Sequence, residues 1–90
     1  MSKKLVRATV LVRLKAEVLD PQGRAVERAL AERGFAGVRG VRIGKLIELE
    51  LELDAEQPEP VDKRLARMAD ELFANPVIED YEILVAGQRG

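Results

Sequence analysis

The chain has no histidine, no cysteine and no tryptophan. Histidine is the commonest general base, cysteine is a common nucleophile, and the two together supply most zinc ligands. One tyrosine and two phenylalanines leave little aromatic surface on which nucleic-acid bases could stack. These absences argue against catalysis, metal binding and RNA binding, so the sequence favours a protein that acts through its surfaces.

Net charge and long apolar segments are lacking as well. Fifteen Lys and Arg residues nearly balance sixteen Asp and Glu residues, so no overall field attracts nucleic acid or an anionic membrane. No apolar run reaches membrane-spanning length, and the N-terminus has no signal-peptide core. Since there is also no cysteine for disulfides, we expect a cytoplasmic protein.

The length predicts one small domain. Ninety residues, 47% of them hydrophobic, fit a single domain over residues 1–90. We expect an ordered core over about residues 4–86 and a frayed tail over 87–90. A domain of this size buries roughly 60% of its unfolded surface, so it gains stability from association.

A strand and a helix are predicted in the first third of the chain. Apolar and polar residues alternate over residues 5–15, which is the pattern of a half-buried strand. Asp20 and Pro21 then form an N-cap and a first helical position, and Gly34 stops the helix after Arg33. The residues predicted on its buried face are Val26, Ala29 and Leu30.

Three further strands and a second helix are predicted in the rest of the chain. Strands cover residues 38–43 and 46–53 and are joined by a tight turn with Gly44 at positive φ. The second helix starts near Pro60 and ends at Asn75, because the residue before a proline disfavours helical geometry. The inward-facing residues of the last strand are Tyr81, Ile83 and Val85.

The element order β-α-β-β-α-β predicts an α+β, ferredoxin-like fold. It has a four-stranded antiparallel sheet with both helices on one face. On the other face, basic side chains of the first strand are expected opposite Glu48, Glu50 and Glu52. Leu11 and Leu84 are expected on neighbouring strands of that uncovered face, where they are candidates for self-association. We therefore expect a homodimer or a homotetramer.

Residues 40–45, Gly-Val-Arg-Ile-Gly-Lys, resemble part of a phosphate-binding loop. A Walker loop needs Ser or Thr at Leu46 and a helix after it, whereas a strand is predicted here. A turn between strands explains this segment better. In that interpretation Arg39, Arg42 and Lys45 form a small basic rim for a partner or a phosphate.

Two segments contain residues that local structure does not justify. Gly23 lies in a first helical turn, where Ala would be more stable, and a close backbone contact is one explanation for it. Glu79 and Asp80 open a strand against β propensity. Residues that break a local rule without local benefit are candidates for function. The candidates for partner contact are Arg42, Lys45, Asn75, Glu79 and Asp80.

Four stretches of the sequence follow one another in the order and spacing of a known family. They are Val12-Arg13-Leu14-Lys15, Val18-Leu19-Asp20-Pro21-Gln22-Gly23, Val41-Arg42-Ile43-Gly44-Lys45 and Ala74-Asn75-Pro76-Val77-Ile78-Glu79-Asp80-Tyr81. They resemble the PurS family, the small subunit of phosphoribosylformylglycinamidine synthase. The resemblance covers nearly the whole chain, and its most specific parts are the last stretch and Asp-Pro-Gln-Gly.

The resemblance implies a non-catalytic assembly subunit. In this family the small subunit joins the glutaminase PurQ, which releases ammonia from glutamine, to the synthetase PurL, which uses ATP to activate formylglycinamide ribonucleotide. It also implies help in ammonia transfer and a dimer or higher oligomer. The complex uses ATP and Mg, whereas no catalytic, cofactor-binding or metal-binding residue is implied for this chain, nor any nucleic-acid or membrane partner.

Two other functions share this order of strands and helices. An ACT-like module that binds a small regulatory molecule is the main alternative to an assembly subunit. A small enzyme such as an acylphosphatase would need a Gly-rich phosphate cradle with Arg and Asn, which is not recognisable in the sequence.

Overall fold

A computed structural model describes residues 3–54 and 59–86 of the chain. The elements in chain order are β1 (Lys3–Leu14), α1 (Pro21–Glu32), β2 (Gly44–Asp54), α2 (Val61–Met68), a π-helical turn (Ala69–Phe73) and β3 (Glu79–Ala86). The molecule is elongated, with principal extents of 57 × 26 × 14 Å. Neither helix in these residues is long and apolar enough to cross a membrane. The predicted tail at 87–90 lies outside the described residues.

β1 is the central strand of an antiparallel sheet with the order β2-β1-β3. Val10 in the middle of β1 lies opposite Ile47 of β2 on one side and opposite Ile83 of β3 on the other. Successive side chains point to opposite faces of the sheet. The four inner-face residues in the middle of β1 are buried: Val6, Ala8, Val10 and Val12. The α+β class is thus confirmed, with an apolar sheet face centred on β1.

α2 and the π-helical turn cover this inner face. Leu65 and Ala69 are fully buried against it, and Val61 contributes to the same core. The N–H of Ala74 donates to the carbonyl oxygen of Ala69 at 2.9 Å, which is the i to i−5 bond of a π turn. The helical segment ends before Asn75, so the predicted stop is confirmed.

α1 has the ends that the sequence predicts. It starts at Pro21 after the N-cap Asp20, whose side chain accepts the N–H of Gly23. Gly34 follows the last turn with a φ of 93°, a left-handed conformation that glycine adopts without strain. Both ends therefore follow from signals within a few residues of them.

The prediction of a fourth strand over residues 38–43 is wrong. The sheet in the described part of the chain has three strands, and this segment is irregular. Gly37 and Gly40 have φ angles of 87° and 69°, which interrupt any extended run. Further along this segment, Val41 and Ile43 lie against the start of α1, at Gly23 and Asp20 respectively. The outer edge of β2 consequently lacks the strand that a ferredoxin-like sheet would place there.

The predicted hairpin turn at Gly44 is also wrong. Gly44 is the first residue of β2 and lies opposite Arg13 of β1, and positive φ angles occur at other glycines. A Cβ at Gly44 would overlap the carbonyl oxygen of Val12. Glycine is needed here because two backbones approach closely, not because the chain turns.

The expected packing of α1 on the sheet is wrong for the single chain. Val26 is 39% exposed, Ala29 is exposed, Leu30 is half-buried, and Gly23 is the only buried residue of the helix. The first turn of α1 is anchored at the end of the sheet, and its later turns lie away from the strands. α2 alone therefore covers the inner face, which leaves inward side chains of β2 half-buried.

The outer face of the sheet carries charges that pair across the strands. Arg7 lies opposite Glu50, and their side chains form an ion pair of 3.6 Å. Arg13 faces Gly44 on β2 and pairs instead with Glu82 of β3, at 3.3 Å. The predicted basic-to-acidic pairing with β2 is thus confirmed at Glu50. Both pairs are exposed, so they help to fix the register more than they stabilise the fold.

The predicted placement of Leu11 and Leu84 on neighbouring strands of this face is confirmed. Leu84 lies opposite Thr9, one side-chain row from Leu11. Leu46 of β2 lies directly opposite Leu11 and is 59% exposed, while Leu84 is 47% exposed. The three leucines therefore form a short apolar row within a charged face.

Candidate functional site

The start of α1 meets the sheet at the end where β1 finishes and β2 and β3 begin. Antiparallel pairing brings these strand ends together, since Arg13 lies opposite Gly44 and Leu14 lies opposite Glu79. A cavity of about 290 Å³, the sheet-end cleft, lies between them. Its lining residues are Val12, Arg13, Leu14, Asp20, Pro21, Gln22, Ile43, Gly44, Lys45 and Glu79.

The carboxylate of Asp20 ties two of these segments together. Its Oδ1 accepts the N–H of Gly23 and its Oδ2 accepts the N–H of Ile43, both at 2.8 Å. The pKa of Asp20 is held below its usual value, chiefly by the hydrogen bond from the Ile43 N–H and next by the one from Gly23. The nearby Arg42 also lowers this pKa, whereas burial of the carboxylate raises it. Asp20 is therefore an ionised group whose two oxygens are committed to its own backbone.

Gly23 is required by the same junction. A Cβ at this position would overlap the carbonyl oxygen of Val41. The predicted close backbone contact is thus confirmed, and it explains a glycine in a helical turn where alanine has the better propensity. The neighbouring Gln22 is exposed and lines the cleft.

Two of the predicted partner-contact residues bond to carbonyl groups of other elements. Nη2 of Arg42 donates to the carbonyl oxygen of Lys15 at 2.8 Å, just after β1. Nζ of Lys45 donates to the carbonyl oxygen of Phe73 at 3.0 Å, at the end of the π-helical turn. Each cation therefore bonds the end of a strand or a helix, where carbonyl groups need partners from outside the element.

The residues between the π-helical turn and β3 form a closed turn. The carbonyl oxygen of Asn75 accepts the N–H groups of Ile78 and Glu79, at 3.1 and 2.7 Å. The Asn75 Oδ1 accepts the N–H of Val77 at 3.0 Å, and Oε1 of Glu79 accepts the N–H of Asn75 at 2.7 Å. The carbonyl oxygen of Ile78 accepts the N–H of Lys15 at 2.9 Å, which joins the turn to the end of β1.

These bonds give Asn75 and Glu79 a local role that the sequence analysis missed. Glu79 opens a strand against β propensity because its carboxylate closes the preceding turn. The available signal was the Asn-Pro pair, since an Asn side chain that bonds the backbone two residues on is a common turn former. Asp80 is different, because its side chain is exposed and makes no hydrogen bond or ion pair within the described residues.

The structure brings some of the predicted residues together and leaves others apart. Lys45 and Glu79 both line the sheet-end cleft. Arg42, Asn75 and Asp80 are not among the residues that line it. Arg13 lines the cleft as well, and it was missed because the strand pattern predicted only a pairing role for it.

The described residues of the cleft offer charged and hydrogen-bonding side chains. In residues 3–54 and 59–86, no three Asp, Glu, His or Cys side chains are grouped so as to hold a metal ion. Apart from Asp20, a resolved pKa shift occurs at Tyr81, whose pKa is raised by burial and by its contacts with Asp70. Tyr81 belongs to the inner face of β3, so this shift reflects packing.

Comparison with known proteins decides the family. A family model for PurS, described as phosphoribosylformylglycinamidine (FGAM) synthase, matches residues 7–87. The chain belongs to the PurS family. The matched span includes every residue of the sheet-end cleft and both of the segments singled out in the sequence.

Relatives resemble this PurS-family chain over nearly their whole length. The phosphoribosylformylglycinamidine synthase subunit PurS of Methanocaldococcus jannaschii is 43% identical over 81 residues, which are 90% of this chain and 95% of that protein. The structure of Bacillus subtilis PurS has a TM-score of 0.79 and 40% identity, covering 91% of this chain and 99% of that one. A chain in the structure of PurLQS from Thermotoga maritima has a TM-score of 0.73 and 33% identity, and the match covers 91% of this chain and 98% of that one.

Proposed function

We propose that this chain is the small, non-catalytic subunit of phosphoribosylformylglycinamidine synthase in purine biosynthesis. It joins the glutaminase PurQ to the ATP-dependent synthetase PurL in the cytoplasm, and ATP and Mg belong to the larger subunits. The observation that carries this proposal is the family match over residues 7–87 together with the similarity to a chain of PurLQS. The test is reconstitution of glutamine-dependent product formation with and without this chain.

The sheet-end cleft is the proposed docking edge for the larger subunits. Three of its charged side chains bond backbone of their own chain: Asp20 holds Ile43, Lys45 holds Phe73, and Glu79 closes its turn. The fourth, Arg13, pairs with Glu82. Side chains that are already held in this way lose little conformational entropy when a partner binds, which favours binding of another protein at this surface. The proposed contact residues are Arg42, Lys45, Asn75, Glu79 and Asp80.

A second copy of the chain is the proposed partner for α1. The helix exposes an apolar face that includes Val26 and Ala29. The inner face of β2 has half-buried Ile47, Leu49 and Leu53, because one helix of the chain covers a face built for two. In a two-fold dimer each chain can lay α1 on the other's sheet, so that both exposed surfaces are buried together.

The outer leucine row is the proposed contact for a larger homo-oligomer. Leu11, Leu46 and Leu84 lie on the opposite face of the sheet from α2, so their burial is independent of any contact made by α1. Three leucines make a small patch, which suits association of two preformed dimers more than formation of the dimer itself.

The ACT-like alternative loses its support. That interpretation rested on the order of strands and helices alone, and fold does not determine function. The family match is specific to PurS and extends over both of the motifs that the fold does not require. No observation on the structure favours a small regulatory ligand.

A further inference from the structure

A second cavity, the α1 cleft, lies between α1 and the irregular segment after it. Its volume is about 550 Å³. Its lining includes Leu19, Asp20, Arg24, Glu27, Arg28, Val38 and Arg42. Arg24 and Arg28 lie one helical turn apart on one wall, and Arg42 comes from the other wall.

The arginines of this cleft have unused hydrogen-bond donors. The side chains of Arg24 and Arg28 are exposed, and their guanidinium groups make no hydrogen bond or ion pair within residues 3–54 and 59–86. Arg42 uses Nη2 for carbonyl oxygens at the end of β1, and its Nη1 and Nε make no bond in that part of the chain. Of the two carboxylates that line the cleft, Asp20 is already satisfied by backbone N–H groups, which leaves Glu27 against three guanidinium groups.

Exposed apolar side chains lie beside the arginines. Leu19 is 63% exposed and Val38 is 40% exposed, and both line the cleft. A site for a lone phosphate has no use for them, and the volume is far larger than one phosphate requires. Arginine next to apolar surface is instead the composition typical of protein interfaces.

We propose that the α1 cleft binds an acidic segment of one of the larger subunits, with carboxylates on Arg24 and Arg28 and an apolar side chain between Leu19 and Val38. Charge complementarity selects an acidic partner, because the guanidinium groups fit carboxylates two bonds at a time. This inference rests on the proposed assembly function and names a second docking surface for it.

The α1 cleft is compatible with the proposed contact between two copies of the chain. At 100° per residue, Arg24 and Arg28 lie on the side of α1 opposite to Val26 and Ala29. One side of the helix can therefore meet a second copy while the other side meets the larger subunit.

The test is binding of the full chain to purified PurL and purified PurQ from the same source, measured separately at low and high NaCl. The variant is Arg28→Glu, and its matched control is Lys63→Glu, which makes the same charge reversal at an exposed position of α2. We expect Arg28→Glu to weaken binding to one of the two subunits by about tenfold at low salt. The affinity of this variant for that subunit is expected to change less between low and high NaCl than the affinity of the wild type. Lys63→Glu is expected to bind like the wild type.

Three outcomes would overturn the proposal. Wild-type affinity of Arg28→Glu for both subunits would leave the assembly function standing and remove the α1 cleft from it. A change in the oligomeric mass of Arg28→Glu would assign the cleft to a second copy. Inorganic phosphate could raise the melting temperature of the wild type and not that of Arg28→Glu, and this result would show that the α1 cleft is a small-anion site. If wild-type chain binds neither subunit, the proposed function itself fails.

Discussion

At the scale of single residues, the junction between α1 and the start of β2 depends on two side-chain choices. Asp20 supplies an acceptor for Ile43, and Gly23 supplies the space for Val41. Neither role exists in an isolated helix, because both partners lie about twenty residues further along the chain. The pair therefore connects a capping motif to the geometry of the sheet-end cleft.

The substitution Gly23→Ala distinguishes the effect of the close backbone contact on stability from the effect of helix propensity. Propensity alone predicts that the change stabilises α1 by about 0.5–1 kcal/mol. We expect the opposite, a loss of about 1–3 kcal/mol in the free energy of unfolding, because the new methyl group overlaps the Val41 carbonyl. Urea denaturation measures the difference, and Ala25→Gly on the same helix reports propensity alone. A stabilised Gly23→Ala protein would show that the close contact is not maintained.

Glu79 allows its structural and partner roles to be separated. Glu79→Ala removes the acceptor of the Asn75 N–H, so we expect a loss of about 0.5–1.5 kcal/mol in stability as well as weaker binding to the larger subunits. Glu79→Gln keeps an oxygen at the end of the side chain and removes the charge. We expect it to restore stability by urea denaturation and to bind as weakly as Glu79→Ala in a co-purification assay. Full binding by the Gln variant would limit Glu79 to its turn.

At the scale of elements, short-range signals predicted most of the architecture. Strand alternation placed Val6, Val10 and Val12 inward, and the Asp20-Pro21 cap and Gly34 fixed both ends of α1. These features depend on side chains within one or two turns of each other, so the sequence contains them directly.

The errors lie where distant contacts override a local pattern. The valines of residues 38–43 suit a strand, but positive φ angles at Gly37 and Gly40 and the anchoring by Asp20 hold the segment elsewhere. The apolar stripe of α1 predicts a buried face, and periodicity does not say which chain buries it. The role of Glu79 was hidden because its turn is closed by a side chain and not by the backbone alone.

Exposed apolar residues on α1 and on the outer sheet face predict two separable steps of self-association. Val26→Glu places a charge on the apolar side of α1, and we expect it to reduce the molecular mass in solution to that of a monomer. Leu84→Glu places the same charge in the outer leucine row, and we expect it to leave a dimer while preventing anything larger.

Light scattering coupled to size exclusion measures both variants, and circular dichroism shows whether each one folds. Lys63→Glu is the matched surface control. A folded Val26→Glu protein with wild-type mass would contradict the role assigned to α1. A monomeric Leu84→Glu protein would place the primary dimer contact on the outer face instead.

At the scale of the whole molecule, the chain is small and elongated and has several separate surfaces. Charged side chains of the sheet-end cleft bond backbone of the same chain, one helix covers the inner face of the sheet, and α1 extends away from the strands. Such a molecule offers several separate faces to partners, namely the sheet-end cleft, the two sides of α1 and the outer leucine row. A subunit that joins larger proteins needs more than one such face.

The most direct test of this account is reconstitution of the synthase from purified PurL, PurQ and this chain. Formation of formylglycinamidine ribonucleotide is followed with glutamine as the nitrogen source and, in parallel, with ammonium salt. We predict that omission of the chain abolishes glutamine-dependent formation while ammonia-dependent formation by PurL persists, and that adding the chain restores the first. Glutamine-dependent formation at an unchanged rate without the chain would contradict its role as an assembly subunit.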